Sequence, residues 1–275
     1  METKRTPAHT VSEEFNSAHT AHSSSDVAHQ SLTHLLPSQV DELLTALRRK
    51  DEFLATLCHE LRSPLGAIEN ALVILNCHTG QELAEQQRLH ALIERQVRHM
   101  VRLTADLLDV SSISRGQLRL QRERMDLRVV LHQAIETMHS ELQRLGHRLV
   151  ISLPDAPVWL QADATRLQQV FDNLLANGFK YTDPGGDLAL SLHTCDGYAV
   201  VNVRDSGIGI AAETLPHIFD LFMQADPAAR HYGRGLGIGL ALVRMLVEMH
   251  GGSVAAMSAG VGHGSEFSIR LPVEN

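Results

Sequence analysis

The chain has 275 residues, 44% of them hydrophobic and 20% charged, with a net charge of −8 at neutral pH. That is enough chain for one large domain or two modest ones, and the acidic balance gives no electrostatic reason to expect a nucleic-acid binder. No apolar run reaches membrane-spanning length, Leu242 to Met249 being interrupted by Arg244 and Glu248; Cys58, Cys77 and Cys195 have neither metal-like nor redox-like spacing, and no apolar leader follows Met1, so a cytoplasmic, reducing setting is expected.

Residues 1–38 are rich in Ser, Thr, His and Ala with almost no apolar periodicity, which predicts a disordered tail. Its scattered histidines read as a solvated segment rather than a metal site.

From 39 to 116 the pattern is helical. Leu54, Leu57, Leu61, Pro64, Ile68, Ala71 and Leu75 recur in steps of three and four, as do Leu89, Ile93, Gln96, Met100, Leu103, Leu107 and Val110. These are the seams of a helical hairpin, with its turn at Thr79-Gly80 and its end at Gly116. Leu65, Leu72, Leu92, Val97 and Leu108 widen the stripe beyond what two helices cover, so a homodimer forming a four-helix bundle is expected.

In this register His59 points away from the seam, with Glu60 and Ser63 on the same outward side. Pro64 lacks the N–H that would bond the Glu60 carbonyl, which loosens the helix beside His59. A neutral imidazole is a fair nucleophile near neutral pH, and an adjacent carboxylate can orient it and accept its proton. Taken alone, such a histidine is ordinary bundle surface; a proline in a helix interior, costing about 3 kcal/mol, asks for a reason.

From 117 to 275 the pattern becomes mixed α and β in a separate domain, an α+β layer of sheet and helices. Leu188, Leu190 and Leu192 alternate, as do Phe267, Ile269 and Leu271, and Val200 to Val203 reads as a further strand. Asp163 is a candidate N-cap for a helix burying Leu167, Val170, Phe171, Leu174 and Leu175. A last helix is expected from about Leu236 to His250, stopping at Gly251-Gly252.

Three stretches carry candidate chemistry. Asn173, Asn177 and Lys180 share one stripe of the helix after Asp163, where neutral oxygens suit Mg2+ and an ammonium suits phosphate. Asp205-Ser206-Gly207-Ile208-Gly209 follows a strand, and its carboxylate can accept from an adenine amino group. Gly233 to Gly239, with four glycines at alternate positions, leads into a helix, whose N-terminus favours anions. A dinucleotide-binding turn needs a strand just before such glycines; here Pro216 to Tyr232 is loop-like and reads as a lid. Gly262 to Phe267 reads chiefly as a hairpin turn before the last strand.

Together these stretches closely resemble the two-component sensor histidine kinases. FLATLCHELRSPL (Phe53 to Leu65) is similar to that family's H box and NLLANGFKYT (Asn173 to Thr182) to its N box. VRDSGIGI is similar to the first glycine box, IFDLF (Ile218 to Phe222) to the F box, GRGLGIGLALVRMLVEMHGG to the second glycine box, and GHGSEFSIRLP to the closing motif. The motifs stand in the family's order across about residues 45–272.

The resemblance implies a helical-hairpin dimerisation domain followed by an α/β-sandwich ATP-binding domain of the Bergerat type. It implies ATP and Mg2+, with His59 as phosphoacceptor and Glu60 assisting proton transfer. Asn177 would ligate Mg2+, Asn173 would lie near the phosphates, Lys180 would contact phosphate, Tyr181 would pack near adenine, and Asp205 would bind the adenine amino group. Gly207, Gly209, Gly235, Leu236, Gly237 and Gly239 would shape the nucleotide pocket and lid. A response regulator receiver domain would take the phosphoryl group, and a separate sensor protein, or the tail and first helix, would supply the signal.

Two departures stand out. Gly178 occupies a place where Ala is usual, and Ser63 one where Thr or Asn is common in members that also dephosphorylate their partner. In related ATPases a Glu near position 173 activates water; Asn173 cannot act as that base. A catalytically silent dimerising adaptor and an ATP-hydrolysing clamp are the rival readings.

Overall fold

A computed structural model describes residues 37–77, 83–223 and 236–274. The expected tail up to residue 36, the Thr79-Gly80 turn, and Gly233 and Gly235 lie outside the described residues, as does the expected lid beyond Met223. The chain divides into two units, Met1–Asp51 and Glu52–Asn275. The described part of the first is helical. The second holds the hairpin from Glu52 onward together with the mixed lobe.

Helices α1 (Pro37–Cys77) and α2 (Leu83–Ser114) form the hairpin. The predicted seams turn inward: Pro64 and Ala71 on α1 and Leu89 and Val110 on α2 are buried, and the other seam positions are half-buried except Leu54, which is exposed. Pro64 sits inside α1 with the helix continuing on both sides. After α2, Gly116 takes the left-handed conformation. Its N–H donates to Ile113 O at 2.8 Å, and the Gln117 N–H donates to Ser112 O at 2.9 Å, closing the helix with the expected two-bond stop.

The lobe runs β1 (Glu123–Asp126), α3 (Leu127–Leu145), β2 (Arg148–Ser152), β3 (Trp159–Ala162), α4 (Ala164–Tyr181), β4 (Asp187–Cys195), β5 (Tyr198–Asp205), a 3-10 turn (Leu215–His217), α5 (Gly239–Met249), β6 (Ser253–Met257) and β7 (Ser265–Pro272). Five strands form one sheet in the order β2-β4-β5-β7-β6, parallel only between β2 and β4; β1 and β3 form a separate antiparallel ribbon. The stretch 117–162, characterised from sequence only as mixed, thus contains a ribbon, a helix and an edge strand.

Alternation puts Leu188, Leu190 and Leu192 of β4, Val201 and Val203 of β5, and Phe267, Ile269 and Leu271 of β7 on one face, all buried. Against that core, α4 packs between α3 and α5. Asp163 does cap α4, accepting the Arg166 N–H, and the predicted residues line the helix's buried side. Gly178 joins them there: a Cβ at that position would come within 2.7 Å of Leu188 Cδ2.

The last helix begins later than expected. Gly237 lies at φ 67°, a left-handed conformation that cannot extend a helix. A side chain there would meet Met223 O at 2.5 Å. The Gly237 carbonyl also accepts the Phe222 N–H at 3.0 Å, so Leu236 to Ile238 serves as a loop fastened to the F-box segment. The helix stops where predicted, with Gly252 N–H donating to Val247 O.

Candidate functional site

The site grows from the C-terminal half of α4. Asn173, Asn177 and Lys180 fall at intervals of four and three, so one stripe carries all of them, and all are half-buried. The Asn173 amide donates back to Gln169 O at 3.0 Å. Its Oδ1 faces Gly239, where a Cβ would stand 3.0 Å away, so the first residue of α5 approaches the carboxamide closely. Among the described residues no side-chain hydrogen bond occupies Asn177. Lys180 Nζ lies 5.1 Å from the centre of the Tyr181 ring.

At its C-terminal end α4 is stitched to the loop after β5. The Ile208 N–H donates to Tyr181 O at 3.0 Å. Residue 207 lies so close to that turn that a Cβ would sit 2.2 Å from Tyr181 O, which is why glycine is required there. Asp205, buried at the end of β5, has its carboxylate fixed from two sides. Oδ1 accepts the N–H groups of Gly207 at 2.9 Å and Ser265 at 3.2 Å, and Oδ2 accepts the Ser265 hydroxyl.

The closing motif interlocks with this loop. Gly264 N–H donates to Gly207 O and Gly262 N–H to Ile208 O, while Ser258 Oγ accepts the Ile210 N–H and donates to Gly264 O at 2.7 Å. Ser258 and Ser265 were not among the sequence candidates. The Ser265 hydroxyl acquires its role from a carboxylate sixty residues earlier, which no local turn signal reports.

The structure therefore brings Asn173, Asn177, Lys180, Tyr181, Asp205, Gly207, Gly209, Leu236, Gly237 and Gly239 to one region around α4, its following loop and the start of α5. Gly235 lies outside the described residues. Two observations fit a nucleotide here. Backbone comes up against the Tyr181 carbonyl at Gly207 and against the Asn173 carboxamide at Gly239, where a Cβ would intrude. Thr182 Oγ1, buried at the end of α4, has no hydrogen-bond partner, leaving a polar group for a ligand or an ordered water. The Asn177 carboxamide also offers a neutral oxygen of the kind Mg2+ accepts.

The hairpin contributes the remaining candidates. His59 is exposed on α1, and Glu60 beside it is half-buried. On α2, burial holds the His99 imidazole below the usual histidine range; Arg102 and Lys180 act in the same direction and Glu60 opposes them. Glu60 of the hairpin and Lys180 of α4 thus act on one imidazole. Further along, Arg166 Nη1 pairs with Asp109 Oδ2 at 2.6 Å, and Gln169 donates to Asp109 at 2.9 Å and to Asp106 at 3.2 Å. Helix α2 therefore lies along the same side of α4 that carries the nucleotide candidates.

Comparison with known proteins agrees with this arrangement. Residues 49–116 match the family described as His Kinase A (phospho-acceptor) domain. Residues 162–275 match histidine kinase-, DNA gyrase B-, and HSP90-like ATPase. The circadian input-output histidine kinase CikA of Synechococcus elongatus is 35% identical over 254 residues, covering 88% of this chain and 33% of CikA. The histidine protein kinase DivJ of Caulobacter vibrioides is 34% identical over 233 residues, covering 84% of this chain and 38% of DivJ. The chain thus spans less than two fifths of either relative. Among solved structures, full-length ShkA in complex with AMPPNP aligns with a TM-score of 0.58 at 28% identity, over 82% of this chain and 46% of ShkA.

Proposed function

The chain belongs to the two-component sensor histidine kinases, and on that premise we propose that it transfers the γ-phosphoryl group of ATP to its own His59 and then to an aspartate of a response regulator receiver domain. One observation carries the reading: exposed His59, with Glu60 beside it, stands on the hairpin whose second helix is clasped to the nucleotide helix by the Arg166–Asp109 ion pair at 2.6 Å.

The unprotonated ring nitrogen of His59 attacks the γ-phosphorus in line, the bond to the bridging oxygen breaks, and ADP leaves. The proton on the other ring nitrogen passes to Glu60. Catalysis is mostly positioning and charge neutralisation. Asp205, immobilised by Gly207 and Ser265, accepts from the adenine amino group. Tyr181 packs near the ring. Lys180 meets phosphate, with Asn173 beside it, and Gly207, Gly209, Gly235, Leu236, Gly237 and Gly239 shape the pocket and its lid. Asn177 would hold Mg2+, which would supply charge neutralisation at the phosphates. Asn173 cannot take a proton from water, so the phosphoryl group is kept for His59.

Residues 39–116 serve dimerisation and phosphotransfer, and 117–275 bind ATP. Exposed Leu65, Leu72, Val97 and Leu108 support a homodimer that buries them in a four-helix bundle. Unpaired, exposed Cys58, Cys77 and Cys195 support a reducing, cytoplasmic setting. The test is incubation with labelled ATP and Mg2+. An acid-labile, alkali-stable label that disappears in His59→Gln is expected; a wild-type chain that binds ATP yet takes up no label would establish the silent adaptor instead.

A further inference from the structure

We propose that Asp163 and His250 form a positioning pair through which the linker leaving the hairpin sets the nucleotide helix α4 against α5. The inference rests on the ATP-binding reading for its purpose but on separate residues for its geometry.

His250 caps the C-terminal end of α5 and is 3% exposed. Its two ring nitrogens have opposite partners. Nδ1 lies 2.7 Å from Leu246 O, which only accepts, so Nδ1 carries the proton. Nε2 lies 3.0 Å from the Asp163 N–H, which only donates, so Nε2 supplies a lone pair. The neutral tautomer is thereby fixed. The Asp163 carboxylate is divided in the same way: Oδ1 accepts the Arg166 N–H and caps α4, while Oδ2 accepts the Gln121 N–H of the linker at 2.9 Å. The next linker residue, Arg122, donates to the carbonyl of Met249, the last residue of α5, at 2.6 Å.

Two consecutive linker residues therefore grip the start of one helix and the end of the other. Those helices meet again at the nucleotide site, where Gly239 of α5 abuts Asn173 of α4. A displacement of the linker pulls on Asp163, and the buried imidazole passes it to α5. An imidazolium would break this link, since a second ring N–H would oppose the Asp163 N–H. Burial holds His250 below the usual histidine range; the bond to the Leu246 carbonyl opposes it, and of the charged groups facing the ring Arg122 acts with burial and Asp163 against it.

Two variants of the full chain test this. His250→Gln can place an amide oxygen near the Nε2 position and does not titrate; His250→Leu offers no acceptor. The first readout is amide hydrogen exchange of residues 119–123 and 163–170 at about pH 7.5, without nucleotide and corrected for intrinsic rates. The second is affinity for Mg-AMPPNP. His250→Leu is expected to speed exchange in both segments and weaken affinity, each by about tenfold, the scale of one buried hydrogen bond. His250→Gln is expected to match the wild type in both. Unchanged exchange in His250→Leu, or a loss in His250→Gln equal to that in His250→Leu, overturns the proposal. Because exchange is read without nucleotide, a wild type that shows the coupling but binds no Mg-AMPPNP would remove the ATP reading and leave the coupling standing.

Discussion

The hairpin and the mixed lobe bury their apolar residues to very different extents. In the lobe Phe171, Leu174, Leu175, Leu242 and Ile269 are all at 0% exposure. In the hairpin Leu65, Val73, Val101 and Leu108 each expose more than half of their surface. The lobe closes its own core between one sheet face and three helices; the hairpin leaves along its side a stripe that a single chain does not cover. Contiguous apolar surface of that kind marks an interaction site. Stability in the lobe is thus a property of one chain, whereas the hairpin leaves apolar surface for the proposed second copy to cover.

The most severe way to break this contrast is to open the lobe. Phe171→Ala removes the largest of its fully buried side chains and is expected to cost about 3–5 kcal/mol. Thermal unfolding monitored in the lobe measures the loss. The oligomeric state of the remaining folded protein should not change. A loss below about 1 kcal/mol, the level of an ordinary substitution, would mean that the lobe is held by something other than this core.

The converse change targets the stripe. Val101 and Leu108 lie seven residues apart on one side of α2 and are 60% and 65% exposed. Replacing both with Glu places charge where a partner helix would pack, at an expected cost of about 2–4 kcal/mol to association. Light scattering over a dilution series should show a monomer where the wild type is a dimer, while lobe unfolding stays within about 0.5 kcal/mol of the wild type, as for other surface changes. A variant that dimerises as before places the partner surface elsewhere.

The two regions also differed in how much of them was legible from sequence. The seams were readable at every position but Leu54, because one period governs them. In the lobe, strands such as Glu123–Asp126 and Ser253–Met257 are four and five residues long with no clear alternation, and their pairing partners are distant in sequence. Helix α3 is a different case. Leu127, Val130, Leu131, Ala134 and Met138 stand at helical spacing between the Asp126 cap and left-handed Gly146, so its signal was present in the chain. Within the site, Asp205 and the Asn173-Asn177-Lys180 stripe were legible as motifs. The Asp205–Ser265 and Asp163–His250 contacts were not, because each joins residues sixty or more positions apart.

The junction between the two regions yields the smallest effect and the sharpest sign. Asp106 of α2 meets Gln169 of α4 at 3.2 Å. Burial raises its carboxyl above the usual carboxylate range, with Asp109 pushing the same way and the Gln169 amide and Arg102 opposing. Asp126, at the cap of α3, has the opposite balance: burial pushes it up, but bonds from Arg128 and the Val158 N–H hold it below that range. The signs then separate. Folded Asp106 takes up a proton before its unfolded counterpart, so its ionised form weakens the junction, and that penalty is relieved as pH falls through its raised pKa. Asp126 contributes stability above the unfolded carboxylate pKa and loses it as pH falls toward its depressed folded value. Asp106→Asn keeps an oxygen for the Gln169 amide and removes the charge. Unfolding at neutral pH is therefore expected to become harder by a few tenths to about 1 kcal/mol, with the gain over wild type shrinking on acidification. Asp126→Asn should lose stability at neutral pH instead. If both variants shift in the same direction, the junction carboxylate is stabilising as a charge, and the seam between hairpin and lobe is an ion-pair clasp rather than a contact held against a desolvation penalty.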